Sequence, residues 1–391
     1  MISDPIVIVG AKRTPMGGFQ GDLAGLTASQ LGAAAIRAAV ADSGVDPADI
    51  ERGVMGCVLP AGQGQAPARQ ALLGAGLPES VAAVTVNKMC GSGMQAVIDA
   101  HDALAAGSAE IMVAGGMESM SNAPYLLAKA RSGFRMGHGE IKDSMFLDGL
   151  EDAYDRGRLM GSFAEECAKL YQFTREAQDA YALRSLSRAQ AAIANGDFAD
   201  EIVAVEAKSG PVLIDEQPGK ARPDKIPTLK PAFAKDGTVT AANASSISDG
   251  AAALILMRAS TAKARGLTPL ARILGHSVHA QAPAWFATAP IPAIEKLYAR
   301  TGLTHADVDL YEINEAFAVV AMAAIRDLQL DPGTVNVNGG ACALGHPIGA
   351  SGARILVTLL NALKRRDMSI GVASLCIGGG EATAVAVERL N

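Results

Sequence analysis

Two cysteines and one histidine in this chain stand among glycines in a way that suits chemistry. Cys90 lies in Val86-Asn87-Lys88-Met89-Cys90-Gly91-Ser92-Gly93, His346 in Gly345-His346-Pro347-Ile348-Gly349-Ala350-Ser351-Gly352, and Cys376 in Cys376-Ile377-Gly378-Gly379-Gly380. Glycine neighbours let backbone N–H groups come close to a ligand. A thiol, an imidazole and a second thiol can together attack a carbonyl, move a proton on carbon and make or break a carbon–carbon bond. Asn314, in Asn314-Glu315-Ala316-Phe317, adds an amide able to fix a water or an oxyanion.

Each residue has a plainer reading beside the chemical one. Cys90 falls between a strand over 81–87 and a helix over 91–106. The free N–H groups and positive dipole of that helix end favour thiolate over thiol. The same local sequence also fits a small core cysteine at a tight turn, and both readings stay open on these residues alone. His346 can take the proton of Cys90 or be a satisfied structural histidine; His101, His138, His276, His279 and His305 are read as structural. The glycine string around His346 matches neither the P-loop nor the dinucleotide fingerprint, so a phosphate cradle is set aside. Cys376 follows a strand and precedes three glycines whose N–H groups can form an oxyanion hole, among them Gly378. Asn314 alone is no more than a helix cap.

The elements that must position these groups come in two similar sets. The first part alternates a buried strand at 6–9, a helix over 27–43 stopped by Gly44, the strand before Cys90, the apolar helix after it and a strand from Ile111. Such alternation predicts a helix-covered, largely parallel sheet. The last part repeats the order. Residues 271–274 match the first strand, and Gly302-Leu303-Thr304-His305-Ala306-Asp307-Val308 echoes Gly44-Val45-Asp46-Pro47-Ala48-Asp49-Ile50. Val335-Asn336-Val337-Asn338 echoes Val84-Thr85-Val86-Asn87, and 369–375 match the strand from Ile111. The ordered set of anchors points to an internal duplication. That places Cys90 and Cys376 in opposite halves, where pseudo-symmetry would bring their strand ends to a common centre. Residues 117–245 break the pattern with glycine, proline and charge, plus an amphipathic helix over 174–195, and read as an insertion that covers the site and holds cofactor.

Composition narrows the classes. The chain has 391 residues, 49% of them apolar and 4% aromatic, with a formal net charge of −6. Neither charge nor aromatics favour nucleic acid or an anionic membrane as partner, and no apolar run is long enough to span a bilayer. Five cysteines without a CxxC spacing argue against a disulfide framework and against a metal centre, and Cys57, Cys167 and Cys342 are read as core. The chain opens directly into a strand with no leader signature, and Glu388-Arg389-Leu390-Asn391 is not a peroxisomal address, so cytoplasm is the expected location.

Taken jointly, the four motifs resemble the thiolase family, and within it the short-chain acetyl-CoA acetyltransferase type. Arg13-Thr14-Pro15, Gly115-Gly116-Met117-Glu118-Ser119-Met120-Ser121 and Gly237-Thr238-Val239-Thr240-Ala241-Ala242-Asn243-Ala244-Ser245 extend the resemblance along the chain. It implies an α/β fold of five α-β-α-β-α layers, built from two duplicated halves with an inserted loop domain. The halves would be 1–118 with 246–268, and 269–391, with the loop domain at 119–245. It implies that Cys90 is acylated, that His346 activates it and that Cys376 removes the methyl proton of a second acetyl-CoA. Asn314 would hold a water that joins His346 in one oxyanion hole, and the N–H groups of Cys90 and Gly378 would form the other. The reaction implied is reversible condensation of two acetyl-CoA to acetoacetyl-CoA and CoA. CoA species would be substrates, with no tightly bound cofactor, in a homotetramer or homodimer. Ser245 and Ala241 would follow the pantetheine, and Met160, Phe233, Ala316 and Phe317 would line its channel. Lys220 or Arg222 would stand in for a displaced phosphate-binding arginine, and Phe286 would shape the acyl pocket. Three other readings are condensing enzymes acting on a carrier protein, a silent thiolase-like lipid-binding or scaffold protein, and thiolases for longer 3-ketoacyl chains. Cys376 argues against the first, the complete Cys90, His346 and Cys376 set against the second, and Pro290-Ile291-Pro292 with Cys-Gly-Ser-Gly against the third.

Overall fold

The computed structural model of the protein describes residues 4–208 and 210–390; Asn391, the end of the C-terminal sequence read above, lies outside them. Its strands are β1 (Ile6–Arg13), β2 (Arg52–Gly56), β3 (Ala82–Val86), β4 (Ile111–Ser119), β5 (Ser248–Arg258), β6 (Ala271–Ala280), β7 (Leu310–Ile313), β8 (Ile370–Ile377) and β9 (Glu381–Arg389). They join in one hydrogen-bonded path, β7-β8-β9-β6-β1-β5-β4-β2-β3. The path divides between β6 and β1, which touch antiparallel over only Val7–Arg272 and Ile8–Ala271. On one side the order is third, second, fourth, fifth, first strand; on the other the same order recurs as β7, β8, β9, β6. The missing third strand of the second half survives as a single parallel bridge, Tyr311 to Val335. It stops there because Asn336 turns left-handed (φ 48°) and its side-chain amide bonds both N–H and C=O of Ile313.

Helices α1 (Ala28–Ser43), α2 (Pro67–Gly74), α3 (Ser92–Ala105), α4 (Met160–Tyr171), α5 (Arg175–Asn195), α6 (Pro290–Thr301), α7 (Ala318–Asp327) and α8 (Ser351–Arg365) complete the layers. α1 and α2 cover one outer face, α6 and α7 the other, and α3 and α8 lie side by side between the two sheets. Three apolar cores fill the gaps. Val7, Leu31 and Leu72 belong to the first, Ile98, Leu254 and Leu359 to the central one, and Ile294, Val320 and Val372 to the third. α8 is buried without a break from Ser351 to Leu363, which a surface helix would not tolerate. Two of its polar members find partners inside: Arg354 pairs with Glu312 at 3.4 Å, and Thr358 donates to Glu201 at 3.0 Å.

Local sequence explains where the helices start and stop. Thr27 and Gln30 form a reciprocal capping box ahead of α1, and Gly44 ends it left-handed. Thr174 caps α5, and Gly196 closes it the same way. The segment between β4 and β5 carries α4, α5 and two short hairpins, Tyr125–Leu127 with Ile141–Asp143 and Val205–Ala207 with Gly210–Val212. It is anchored by Arg13, fully buried at the end of β1. Arg13 holds Asp215 through two nitrogens at 2.7 and 2.9 Å and Glu201 at 2.5 Å. Among the described residues no helix is long and apolar enough to cross a membrane.

Candidate active site

Cys90 sits in the turn that joins β3 to α3. Met89 takes a left-handed conformation (φ 47°), and Ser92 ties the turn by accepting from the Lys88 N–H at 2.8 Å and donating to the Met89 carbonyl at 2.6 Å. Gly91 is required at this spot: a Cβ there would lie 2.4 Å from Ile377, the residue after Cys376. The two cysteine loops therefore lie back to back. The backbone N–H groups of Gly378 and of Cys90 itself favour the ionised form of the Cys90 thiol. Cys376 ends β8, with no exposed surface.

The charge state of Cys90 corrects the expectation from its helix. Burial pushes the thiol up to about 11, and the two N–H groups only moderate that rise. Desolvation outweighs the helix end and favours the thiol over the thiolate. Cys376 is also pushed up, first by burial and then by the neighbouring Cys90.

His346 lies in the loop that leads into α8. Its backbone N–H donates to the Ser246 carbonyl at 3.1 Å and the Ser248 hydroxyl at 3.2 Å, which fixes the loop. Burial, helped by Arg354, holds the imidazole down to about 3, so the ring is neutral. Its Nδ1 faces the Ser351 hydroxyl at 2.5 Å, while Nε2 is buried with no partner. Asn314, at the end of β7, is buried too, and neither atom of its amide has a partner. His346 Nε2 and the Asn314 amide thus keep hydrogen-bonding capacity unused within the protein, as do several other buried polar atoms among the described residues.

Comparison with known proteins gives the family. The family described as "Thiolase, N-terminal domain" matches residues 6–260, and "Thiolase, C-terminal domain" matches residues 267–389. The chain belongs to the thiolase family. An acetyl-CoA acetyltransferase of Thiocystis violacea is 50% identical over all of both chains. One of Escherichia coli strain K12 is 52% identical over 98% of this chain and 99% of its own. The solved structure of the Acat5 thiolase from Ascaris suum in complex with coenzyme A superposes with a TM-score of 0.95 at 42% identity, covering 99% of this chain and 100% of that one. The expected thiolase fold is thus the observed one.

Within this thiolase the residues expected around CoA fall into groups. Phe233, Phe286 and Phe317 stack edge to face, with Phe317 6.0 Å from Phe233 and 6.3 Å from Phe286. Phe233 also lies against Gly161, and Met160 reaches toward Gly378. Ser245 is fixed beside Ala316 by its N–H to the Ala316 carbonyl at 2.9 Å. Lys220, Arg222 and Ala241 line a separate cleft with Lys225 and Cys342. Lys220 is ion-paired to Glu216, whereas Arg222 has no ion-pair partner among the described residues.

Three supporting residues went unread in the sequence. Glu118 accepts from the N–H groups of Val58 (2.9 Å), Leu59 (3.2 Å) and Gly349 (2.9 Å), bracing the His346 loop against β4. Burial raises it to about 7 against those bonds. Glu315 collects Tyr181, Ser185, Asn336 and the Cys342 N–H, which ties Asn314 to α5. Ser351 is the third. The signal for Glu118 was a lone charge inside an otherwise uncharged, glycine-containing motif, and for Glu315 the lone charge in Asn314-Glu315-Ala316-Phe317. At the far end of α3, His101 and His276 both hydrogen-bond Asp102 at 2.9 Å and clasp the two halves.

Proposed function

We propose that this thiolase catalyses the reversible Claisen condensation of two acetyl-CoA to acetoacetyl-CoA and CoA through an acetyl-Cys90 intermediate. The reading is supported by the Gly378 N–H, which favours the ionised Cys90, together with the buried, unpartnered Nε2 of His346 and amide of Asn314. In acylation, His346 takes the Cys90 proton, the thiolate attacks the thioester carbonyl, and the departing CoA takes a proton from Cys376. The N–H groups of Cys90 and Gly378 stabilise the oxyanion. In condensation, the Cys376 thiolate removes a methyl proton from the second acetyl-CoA. The carbanion attacks the acetyl carbonyl, and the expelled Cys90 recovers its proton from His346. Meanwhile His346 and a water on Asn314 hold the second thioester oxygen. No proton is gained or lost over the cycle.

CoA would enter along Ser245 and Ala241 and pass Met160, Phe233, Ala316 and Phe317, with its phosphates at Arg222 and Lys220. The edge-to-face contact of Phe286 with Phe317 is consistent with bulky rings shaping the acyl pocket for a short group. We assign halves of 1–118 with 246–268 and of 269–391, and a loop domain at 119–245. We also assign a cytoplasmic location and a homotetramer or homodimer. Exposed Ala82 and Val84 on the edge strand β3 are the surface that a second copy would cover.

The test is intact mass with peptide mapping after brief exposure to acetoacetyl-CoA. An acetyl adduct on the Cys90 peptide that CoA removes is the expected result. Binding of CoA with no adduct would sink the reading.

A further inference from the structure

The proton on the His346 ring can be located by counting donors and acceptors. Nδ1 lies 2.5 Å from Ser351 Oγ, and that Oγ lies 2.9 Å from the Pro347 carbonyl oxygen. The Pro347 carbonyl accepts from the Ala350 and Ser351 N–H groups at 2.9 and 3.0 Å, and the Ser351 hydroxyl is a third donor aimed at it. With the hydroxyl proton there, Oγ offers the ring a lone pair and Nδ1 carries the imidazole proton. The ring is neutral and has no second proton, so Nε2 is bare; this is the atom found buried without a partner. Ser351 itself has no exposed surface, so solvent does not supply an alternative acceptor.

The other half of the molecule uses the same device. Ser92 opens α3 as Ser351 opens α8, and each is followed by a glycine, Gly93 and Gly352. Those glycines let the two helix starts touch: a Cβ at Gly352 would lie 2.4 Å from the Met94 nitrogen. Ser92 also gives its proton to an upstream carbonyl and its lone pair to a donor, the Lys88 N–H. At Ser351 the donor is an imidazole instead of an amide.

We propose that Ser351 is a positioning residue that selects the Nδ1–H tautomer of His346 and so presents a bare Nε2 to the Cys90 thiol. This rests on the reading of His346 as the base for Cys90. A free imidazole prefers the opposite tautomer, with the proton on Nε2, which would face Cys90 as a donor and take nothing. An asparagine-for-aspartate change behind a catalytic histidine in serine proteases is known to disable it by that route.

The experiment is 15N NMR of histidine-labelled enzyme, with the His346 signals assigned by their loss in His346→Ala. The wild type should show a protonated Nδ1 and an unprotonated Nε2, and Ser351→Ala should move the proton toward Nε2. Single-turnover acylation by acetyl-CoA should fall ~10–100-fold in Ser351→Ala, the cost of one buried hydrogen bond and a disfavoured tautomer, with CoA affinity unchanged. Ser351→Thr, which keeps the hydroxyl, should restore both. A wild-type Nε2–H tautomer overturns the proposal whether or not any variant folds. So does wild-type acylation in Ser351→Ala. Failure of the functional reading looks different: no acetyl group would form on Cys90 in the wild type, whatever the tautomer.

Discussion

The two halves share a strand order but divide the work unequally. In the first half, five residues (87–91) join β3 to α3, and they carry only Cys90. In the second, the equivalent connection runs from Asn336 to Ala350 and carries the Ala341–Leu344 turn and His346. β4 leaves its sheet into the long segment that covers the site, whereas β8 turns straight back into β9 through Gly378, Gly379 and Gly380. Asn314, His346 and Cys376 thus come from one half and Cys90 from the other. The lesson is that duplicated topology brings loop ends to one centre, and that loop length then decides which copy supplies cover and which supplies chemistry.

The sharpest way to break this comparison is to remove each thiol in turn. The Gly378 N–H favours the ionised form of Cys90. Cys90→Ala should lower acyl transfer by at least ~10⁴-fold, as loss of a nucleophile does. Cys376→Ala should still become acetylated but lose ~10²–10⁴-fold in condensation, the range for one general acid–base group. Single-turnover acylation and steady-state condensation, measured side by side, separate the two. Equal loss of both steps in Cys376→Ala would erase the division of labour.

Asn314→Ala should act on the second half alone. The substitution removes two buried atoms that have no partner, so thermal stability should hold or rise. Condensation should fall ~10²–10³-fold, the cost of one oxyanion donor. A variant that loses stability along with activity would make Asn314 a structural residue.

Glu118 is the brace between the halves, reaching from β4 to Gly349. Its folded value, about 7, stands above the ordinary 4.5, so the folded protein holds this proton more tightly than the unfolded chain does. Its stabilising contribution is therefore complete below about 4.5 and is lost as pH rises through about 7. Glu118→Gln should cost ~1–3 kcal/mol by turning an amide N–H toward backbone donors, and should flatten the decline of stability across that window. Unfolding midpoints of both proteins at several pH values check this; parallel curves would remove Glu118 as the titrating brace.

Much of this arrangement was legible in the residues. The glycines around Cys90, His346 and Cys376 marked where backbone must approach closely. Thr27, Gly44, Thr174 and Gly196 marked helix ends through local hydrogen bonds. What stayed hidden depends on distant partners. The helix argument at Cys90 considered only the local dipole, whereas burial by the other half set the sign. Ser351 looks like an ordinary helix start until His346 is folded onto it, and Glu118 and Gly349 are 231 residues apart in sequence. The echo at Val335 could not reveal that Asn336 would turn away from the strand.

The smallest effect sits furthest from the thiols, in the cleft that Lys220 and Arg222 share. The charges there are uneven: Glu216 and Lys220 are four apart on one short helix and pair, a contact readable from spacing alone, while Arg222 has no ion-pair partner among the described residues. An unpaired guanidinium gains more from a phosphate than an ammonium that must first leave a carboxylate. Arg222→Ala should raise the KM for CoA ~3–10-fold with kcat unchanged, the size of one exposed charge-assisted contact. Lys220→Ala should change it less. Dephospho-CoA distinguishes the phosphate: if Arg222 binds the 3′-phosphate, wild type and Arg222→Ala should have similar KM values for that substrate. If the gap persists with dephospho-CoA, Arg222 meets the diphosphate instead, and a gap larger for Lys220→Ala than for Arg222→Ala would reverse the assignment.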